Sequence, residues 1–182
     1  MHALAHFTEE IYKAFNNEKF SLAVFIDLKK AFDTVDFDIL LSKLEHYGIH
    51  NVELEWFANY LTNRKQCCEI NGLRSESRDV KMGVPQGSVA GPLLFLIFIN
   101  DLNQATDLKT TLFADDTTFQ SSGSNLTELY ALTNYNLKKA EIWFQTNGLT
   151  LHPKKTKYIL FTKLKKIIGL RTYTWLVLQL KE

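Results

Sequence analysis

A chain of 182 residues has room for one domain or part of a larger one. With 46% hydrophobic and 13% aromatic residues it can build a core, which excludes global disorder. Its 21 basic and 20 acidic side chains leave a net charge of +1, which excludes nucleic-acid binding by overall basicity; such binding needs a local patch or basic parts elsewhere. The cysteines, adjacent at Cys67 and Cys68, offer neither zinc spacing nor a disulfide framework and fit a reducing compartment. Met1 to His6 lacks the basic and apolar regions of a signal peptide, and no apolar run reaches the ~18 residues of a membrane span. The sequence therefore predicts an intracellular protein, cytoplasmic or nuclear, without a membrane partner.

Thr8-Glu9-Glu10 reads as the start of a short amphipathic helix capped by Thr8, with Phe7, Ile11 and Phe15 on its apolar face. Phe20 to Ile26 is almost unbroken apolar sequence, the mark of a strand buried on both faces, and Asp27 ends it. A carboxylate there is costly unless paired or metal-bound; a strand-end turn is the ordinary alternative. Asp36 is placed to cap a helix running to Tyr47 and stopped by Gly48, and a second helix follows from Val52 to Leu61. Arg64 to Ile70 and Leu73 to Val80 read as strands joined at Asn71-Gly72. Gly83-Val84-Pro85-Gln86-Gly87-Ser88 is a backbone-permissive loop feeding a very apolar helix over Val89 to Leu102. It is not a Walker loop, because no Gly-Lys-Ser/Thr follows.

Leu112-Phe113-Ala114-Asp115-Asp116-Thr117-Thr118 places two acids between β-prone runs, which predicts a hairpin with the acids at its tip. Adjacent carboxylates repel unless a cation compensates; taken alone, a solvated turn is the ordinary alternative. Asn125-Leu126-Thr127-Glu128 has capping-box form and opens a long helix ended by Gly148. Leu149 to Leu151 and Tyr158 to Phe161 read as a strand pair around Pro153-Lys154-Lys155-Thr156-Lys157, and Trp175 to Leu180 as a possible further strand.

Three stretches in this order carry a joint pattern: Phe25-Ile26-Asp27-Leu28-Lys29-Lys30-Ala31-Phe32-Asp33, then Gly83 to Ser88 with Gly91-Pro92, then Phe113-Ala114-Asp115-Asp116. Together they resemble the reverse transcriptase domain of non-LTR (LINE-type) retrotransposons, over about residues 5 to 162. Leu149-Thr150-Leu151-His152-Pro153-Lys154-Lys155-Thr156 adds a fourth match, to the lysine-bearing palm motif. Phe113-Ala114 stands where Tyr is common in retroviral enzymes, which points to the LINE side.

The resemblance implies an α+β polymerase palm, an antiparallel sheet with helices packed on one face, with partial fingers and no thumb. It implies a partial reverse transcriptase domain over residues 1–162 and a divergent tail over 163–182. It implies RNA-directed DNA polymerase chemistry, with an RNA template, a DNA primer and deoxynucleoside triphosphates as partners. Asp27 and Asp115 would bridge two Mg²⁺ ions, Mn²⁺ being possible, with Asp116 as the third acid and the Leu28 carbonyl completing one shell. Phe32 would sit under the sugar of the incoming nucleotide and reject a 2′-hydroxyl. Gln86, Gly87 and the loop around them would pack on that nucleotide and the template. Lys155, or its neighbour Lys154, would protonate the leaving pyrophosphate.

Physical chemistry agrees independently. Two Mg²⁺ ions about 4 Å apart activate a 3′-hydroxyl and stabilise a leaving group, and they neutralise crowded carboxylates. Two alternatives belong to other classes. One is an inactive retroelement remnant or binding module that keeps the palm fold. The other is an unrelated two-carboxylate phosphohydrolase, whose aspartyl-phosphate class wants a second Asp where Lys29 stands.

Overall fold

The computed structural model describes residues 2–163, so the strand expected at Trp175 to Leu180 lies outside the described residues. Two compact units are present. One comprises residues 2–29, 102–146 and 150–163; the other comprises Lys30–Asp101 with Asn147–Leu149.

The first unit is built on β1 (Phe20–Ile26), whose apolar run demands cover on both faces. It pairs antiparallel with β7 (Asp116–Gly123) on one side and β8 (Lys157–Phe161) on the other; β6 (Lys109–Phe113) completes the sheet in the order β6-β7-β1-β8. The expected pairing of Leu149 to Leu151 with Tyr158 to Phe161 is not formed. Residues 157–161 take the free edge of β1 instead, and Leu151 makes a single bridge to Leu28. An edge of the most apolar strand offers a full ladder, whereas a local hairpin would leave that edge bare.

Strand pleating sends Leu22, Val24 and Ile26 to one face with Thr117, Phe119 and Ser121 of β7. There α6 (Leu126–Thr146) buries Leu129, Leu137, Ala140 and Phe144, and Thr133 Oγ1 meets Ser121 Oγ at 2.7 Å. Asn125 caps α6: its Oδ1 accepts from the Thr127 and Glu128 amides. The opposite face carries Ser21, Ala23 and Phe25. It is met by α1 (His2–Asn16), whose Phe7 ring lies 6.0 Å from Phe25 and 6.1 Å from Phe161. Thr8 does not start this helix. It sits inside it, and its hydroxyl donates back to the Leu4 and Ala5 carbonyls, because the residues before it already favour helix. A four-residue helix, α5 (Leu102–Ala105), leads into β6.

Glu10 of α1 pairs with Lys109 at the start of β6 and with Lys13. The hydrogen bond from Lys109 holds the Glu10 carboxyl below its ordinary value of 4.5, against the opposing pull of burial. A lowered acid contributes stability above the unfolded value and loses it as pH falls through the folded value. Thermal melts of Glu10→Gln are therefore expected to fall less steeply below pH ~4.5 than those of the wild type. Equal acid limbs would remove this contribution.

In the second unit, Asp36 caps α2 (Phe37–His46), its carboxylate accepting from the Asp38 and Ile39 amides at 2.9 and 3.0 Å. Gly48, at φ 94°, stops that helix. Next come α3 (Asn51–Leu61) and a hairpin turning at Asn71-Gly72, both with positive φ as a tight primed turn requires. The hairpin is two short ladders rather than one. Lys65-Gln66 (β2) pairs with Arg78-Asp79 (β5), and Glu69-Ile70 (β3) with Leu73-Arg74 (β4). The register shifts between them, with Cys67-Cys68 facing Ser75 to Ser77, the mark of a bulge.

The apolar helix α4 (Ala90–Ile99) buries Leu94, Phe95, Phe98 and Ile99. It ends before the expected Leu102. Lys43 Nζ of α2 donates to the Phe98 carbonyl and to Asp101, both at 2.7 Å, which satisfies the helix terminus from outside. Burial draws the Lys43 ammonium below its ordinary pKa, and Asp101 opposes that pull. Among the described residues no helix is long and apolar enough to cross a membrane.

Candidate active site

In the first unit, the site is one end of the sheet. Asp27 follows β1 directly. The β1–β7 ladder runs to Ile26↔Thr117, so its next step sets Asp27 abreast of Asp116, the first residue of β7. Asp115 lies in the two-residue turn between β6 and β7, next to Ala114 at φ 53°. The turn is thus Ala114-Asp115, and Asp116 already belongs to the ladder opposite Phe113. One acid in the turn and one on the strand lets adjacent side chains escape the divergence that pleating would impose.

The other flank of Asp27 is the segment before β8. The His152 amide donates to the Asp27 carbonyl at 2.8 Å, and the Lys29 amide to the Thr150 carbonyl at 2.8 Å, around the Leu28–Leu151 bridge. The His152 carbonyl accepts the amides of Lys155 and Thr156 and the Thr156 hydroxyl, which closes a turn over 152–156. That turn carries the Lys155 ammonium to 3.6 Å from Asp27 Oδ2. Lys154 is exposed and forms no comparable pair among the described residues. His152 and Thr156, which carry no assigned role in the motif above, are the residues whose hydrogen bonds close this turn. The signal for them is that both flank Lys155 in a short turn following a strand-like stretch.

Among the described residues, no three His, Cys, Asp or Glu side chains form a preformed metal cage. The chemistry of the donors nevertheless suits a hard divalent cation. Mg²⁺ is commonly held by one or two carboxylates and completed by substrate phosphates. The Asp115 and Asp116 carboxylates engage no hydrogen bond or ion pair among the described residues, and no loop hydrogen bond ends on the Leu28 carbonyl. The residues present therefore fit such an ion.

Phe32, Gln86 and Gly87 belong to the second unit. Phe32, in a single 3-10 turn (Ala31–Asp33), packs its ring on Phe95 at 4.6 Å. The Gly83–Ser88 loop is tied to that turn: the Gly83 amide donates to Val35 and the Val84 amide to Phe32, at 2.7 and 2.8 Å. Gln86 Nε2 donates to Asp33 Oδ1 at 2.6 Å, a partner the sequence reading did not single out. The Gln86 and Gly87 amides donate no hydrogen bond among the described residues, which leaves them available to a ligand. Gly83 has φ 90°, and a Cβ there would lie 2.7 Å from the Asp33 carbonyl oxygen. Gly83→Ala is expected to cost about 1–3 kcal/mol and to loosen the loop, read as a lowered midpoint in urea and faster amide exchange at Val84. An unchanged midpoint would contradict the close approach.

A family profile described as "Reverse transcriptase (RNA-dependent DNA polymerase)" matches residues 2–179. The chain is 32% identical over 169 residues to the probable RNA-directed DNA polymerase from transposon BS of Drosophila melanogaster, covering 85% of this chain and 18% of that protein. It is 27% identical over 170 residues to the RNA-directed DNA polymerase from mobile element jockey of the same species, covering 88% and 18%. The chain thus spans about a fifth of the length of these relatives. Among solved structures, apo telomerase from Candida tropicalis truncated from its C-terminal domain superposes with a TM-score of 0.61 at 14% identity, over 89% of this chain and 36% of that one. At that identity the likeness shows the fold, a mixed α+β polymerase palm. The matched family consists of RNA-directed DNA polymerases that bind nucleic-acid templates and use divalent metal ions. With its ordered motifs and its match over nearly the whole length, the chain belongs to the reverse transcriptase family, in the non-LTR, LINE-type branch.

Proposed function

We propose that this chain carries the nucleotidyl-transfer centre of an RNA-directed DNA polymerase, with Asp27, Asp115 and Asp116 as metal-holding acids and Lys155 as general acid. The observation that carries the reading is the placement of Asp27. Asp116 lies abreast of it through the β1–β7 register, and Lys155 Nζ lies 3.6 Å from its carboxylate on the β8 side. Two Mg²⁺ ions, when bound, activate the primer 3′-hydroxyl and stabilise charge on the triphosphate.

The chain's own residues then divide the work. The three acids and the Leu28 carbonyl would hold the cations at the end of the sheet. As the 3′-hydroxyl gives up its proton to solvent and the bond from the 3′-oxygen to the α-phosphorus forms, the bond to the bridging oxygen breaks. Lys155 Nζ gives its proton to that oxygen as pyrophosphate leaves, and solvent returns the proton. In the second unit, Phe32 is assigned to the sugar of the incoming nucleotide. Its ring is held by Phe95 and so resists displacement by a 2′-hydroxyl. Gln86 and Gly87 are assigned to the nucleotide and the template.

Binding tests the acids without requiring turnover. Isothermal titration of a deoxynucleoside triphosphate into the chain with Mg²⁺ is expected to show saturable binding that is lost in Asp115→Asn and Asp27→Asn. An Asp115→Asn protein that binds as tightly as wild type would overturn the assignment.

A further inference from the structure

Lys155 has two possible occupations, and they exclude each other. A general acid must be free to reach the leaving pyrophosphate, yet this ammonium sits against Asp27, an acid assigned above to the metal. The contact is built in by the backbone. The turn that carries Lys155 is closed on the His152 carbonyl, and the His152 amide is bonded to the carbonyl of Asp27 itself. The pair is also weak enough to exchange, because the Lys155 side chain is 63% exposed and the Asp27 side chain 34%, and solvent screens such contacts. Within the site it is the only salt bridge to an acid among the described residues.

We propose that Lys155 is a built-in counter-ion for Asp27 that a divalent cation displaces, so that metal loading releases the general acid. The inference rests on the function proposed above. Its consequence is an ordered site. Before loading, the ammonium neutralises Asp27 and the turn holds it there. When a divalent cation takes the carboxylate, the two positive charges repel and the lysine side chain swings off its tether toward solvent, where a leaving phosphate can be met. Proton donation is then unavailable until the site is charged, which couples the two functions through one carboxylate.

Two readouts separate this from a purely catalytic or purely structural lysine. The first is Mn²⁺ affinity of the intact chain, followed by water-proton relaxation in the absence of nucleotide. Lys155→Ala removes the competing cation and is expected to bind Mn²⁺ about fivefold more tightly, the scale of one unit-charge interaction across about 4 Å in water. Lys155→Arg keeps the charge and is expected to bind within twofold of wild type. The second is competitive acetylation of the lysines, read by mass spectrometry. Saturating Mg²⁺ is expected to raise Lys155 labelling about threefold and to leave Lys154 unchanged, since only Lys155 loses a carboxylate partner. Circular dichroism of each variant confirms that the fold is kept.

The proposal is overturned if Lys155→Ala binds Mn²⁺ no more tightly than wild type, or if Lys155 labelling ignores a metal that demonstrably binds. Failure of the underlying reading looks different: Mn²⁺ then binds equally to wild type and Asp27→Asn, or to neither. That result removes the metal site and this inference with it.

Discussion

In single-turnover assays on a primed RNA template, Asp27→Ala is expected to lower nucleotide incorporation by at least about a thousandfold, while Lys155→Ala lowers it by about a hundredfold. The asymmetry follows from the role proposed for each residue. Asp27 sits between Asp116 on the β7 side and Lys155 on the β8 side, so its loss removes the carboxylate that both flanks converge on. At about 1.36 kcal/mol per tenfold, the expected loss is about 4 kcal/mol of transition-state stabilisation. The role proposed for Lys155 is one proton transfer, for which general acid catalysis contributes about two to four orders of magnitude, and water can partly substitute. Comparable losses in the two variants would mean that Lys155 is needed to assemble the site rather than to donate. Lys155→Arg, which keeps charge but gives up its proton reluctantly, separates these outcomes: an assembly role is rescued and a donor role is not.

The largest stability effect is expected at Phe119. This ring is 1% exposed on β7, opposite Val24 of β1 and Thr110 of β6, on the face that α6 covers. Phe119→Ala is expected to destabilise the fold by about 3–5 kcal/mol, read from urea denaturation, because a large cavity opens in the middle of the sheet where flanking strands cannot collapse. β7 begins with Asp116, so the variant is also expected to lose divalent-cation binding before it unfolds globally. A loss below about 1 kcal/mol would mean that the α6 face repacks freely around the gap.

Local chemistry made much of the chain legible. The apolar run of β1 could be covered only as a central strand; Asp36, Asn125, Gly48 and the Asn71-Gly72 turn each mark a boundary by their own conformational preference. What the sequence concealed depends on partners distant in the chain. Residues 157–161 could have paired with 149–151 or with β1, and nothing within either segment decides between them. The end of α4 is set by Lys43 from another helix, and the bulge at Ser75 to Ser77 by how two ladders close on each other. Thr8 looked like a cap because its residue type is right, while the residues ahead of it extend the helix past it.

The site divides along the same line. The acids stood out through the joint order of the motifs, since on local chemistry alone a strand-end turn and a solvated hairpin turn are the ordinary readings. Their mutual placement did not, because it requires the β1–β7 register. The part His152 plays in the turn was hidden for a different reason. The residue acts through its backbone, joining the Asp27 carbonyl to the turn of Lys155, and a main-chain role leaves little trace in residue type. Asp33 likewise shows itself only through its hydrogen bond with Gln86.

The most direct test of the central claim is primer extension on an RNA template by the purified chain with Mg²⁺, beside an Asp115→Ala/Asp116→Ala control. Extension by the wild-type chain that disappears in the control and without divalent cation is the predicted result. A soluble, folded wild-type protein that extends no primer would contradict the claim, and the sheet-end acids would then mark a palm scaffold that does not perform the chemistry itself.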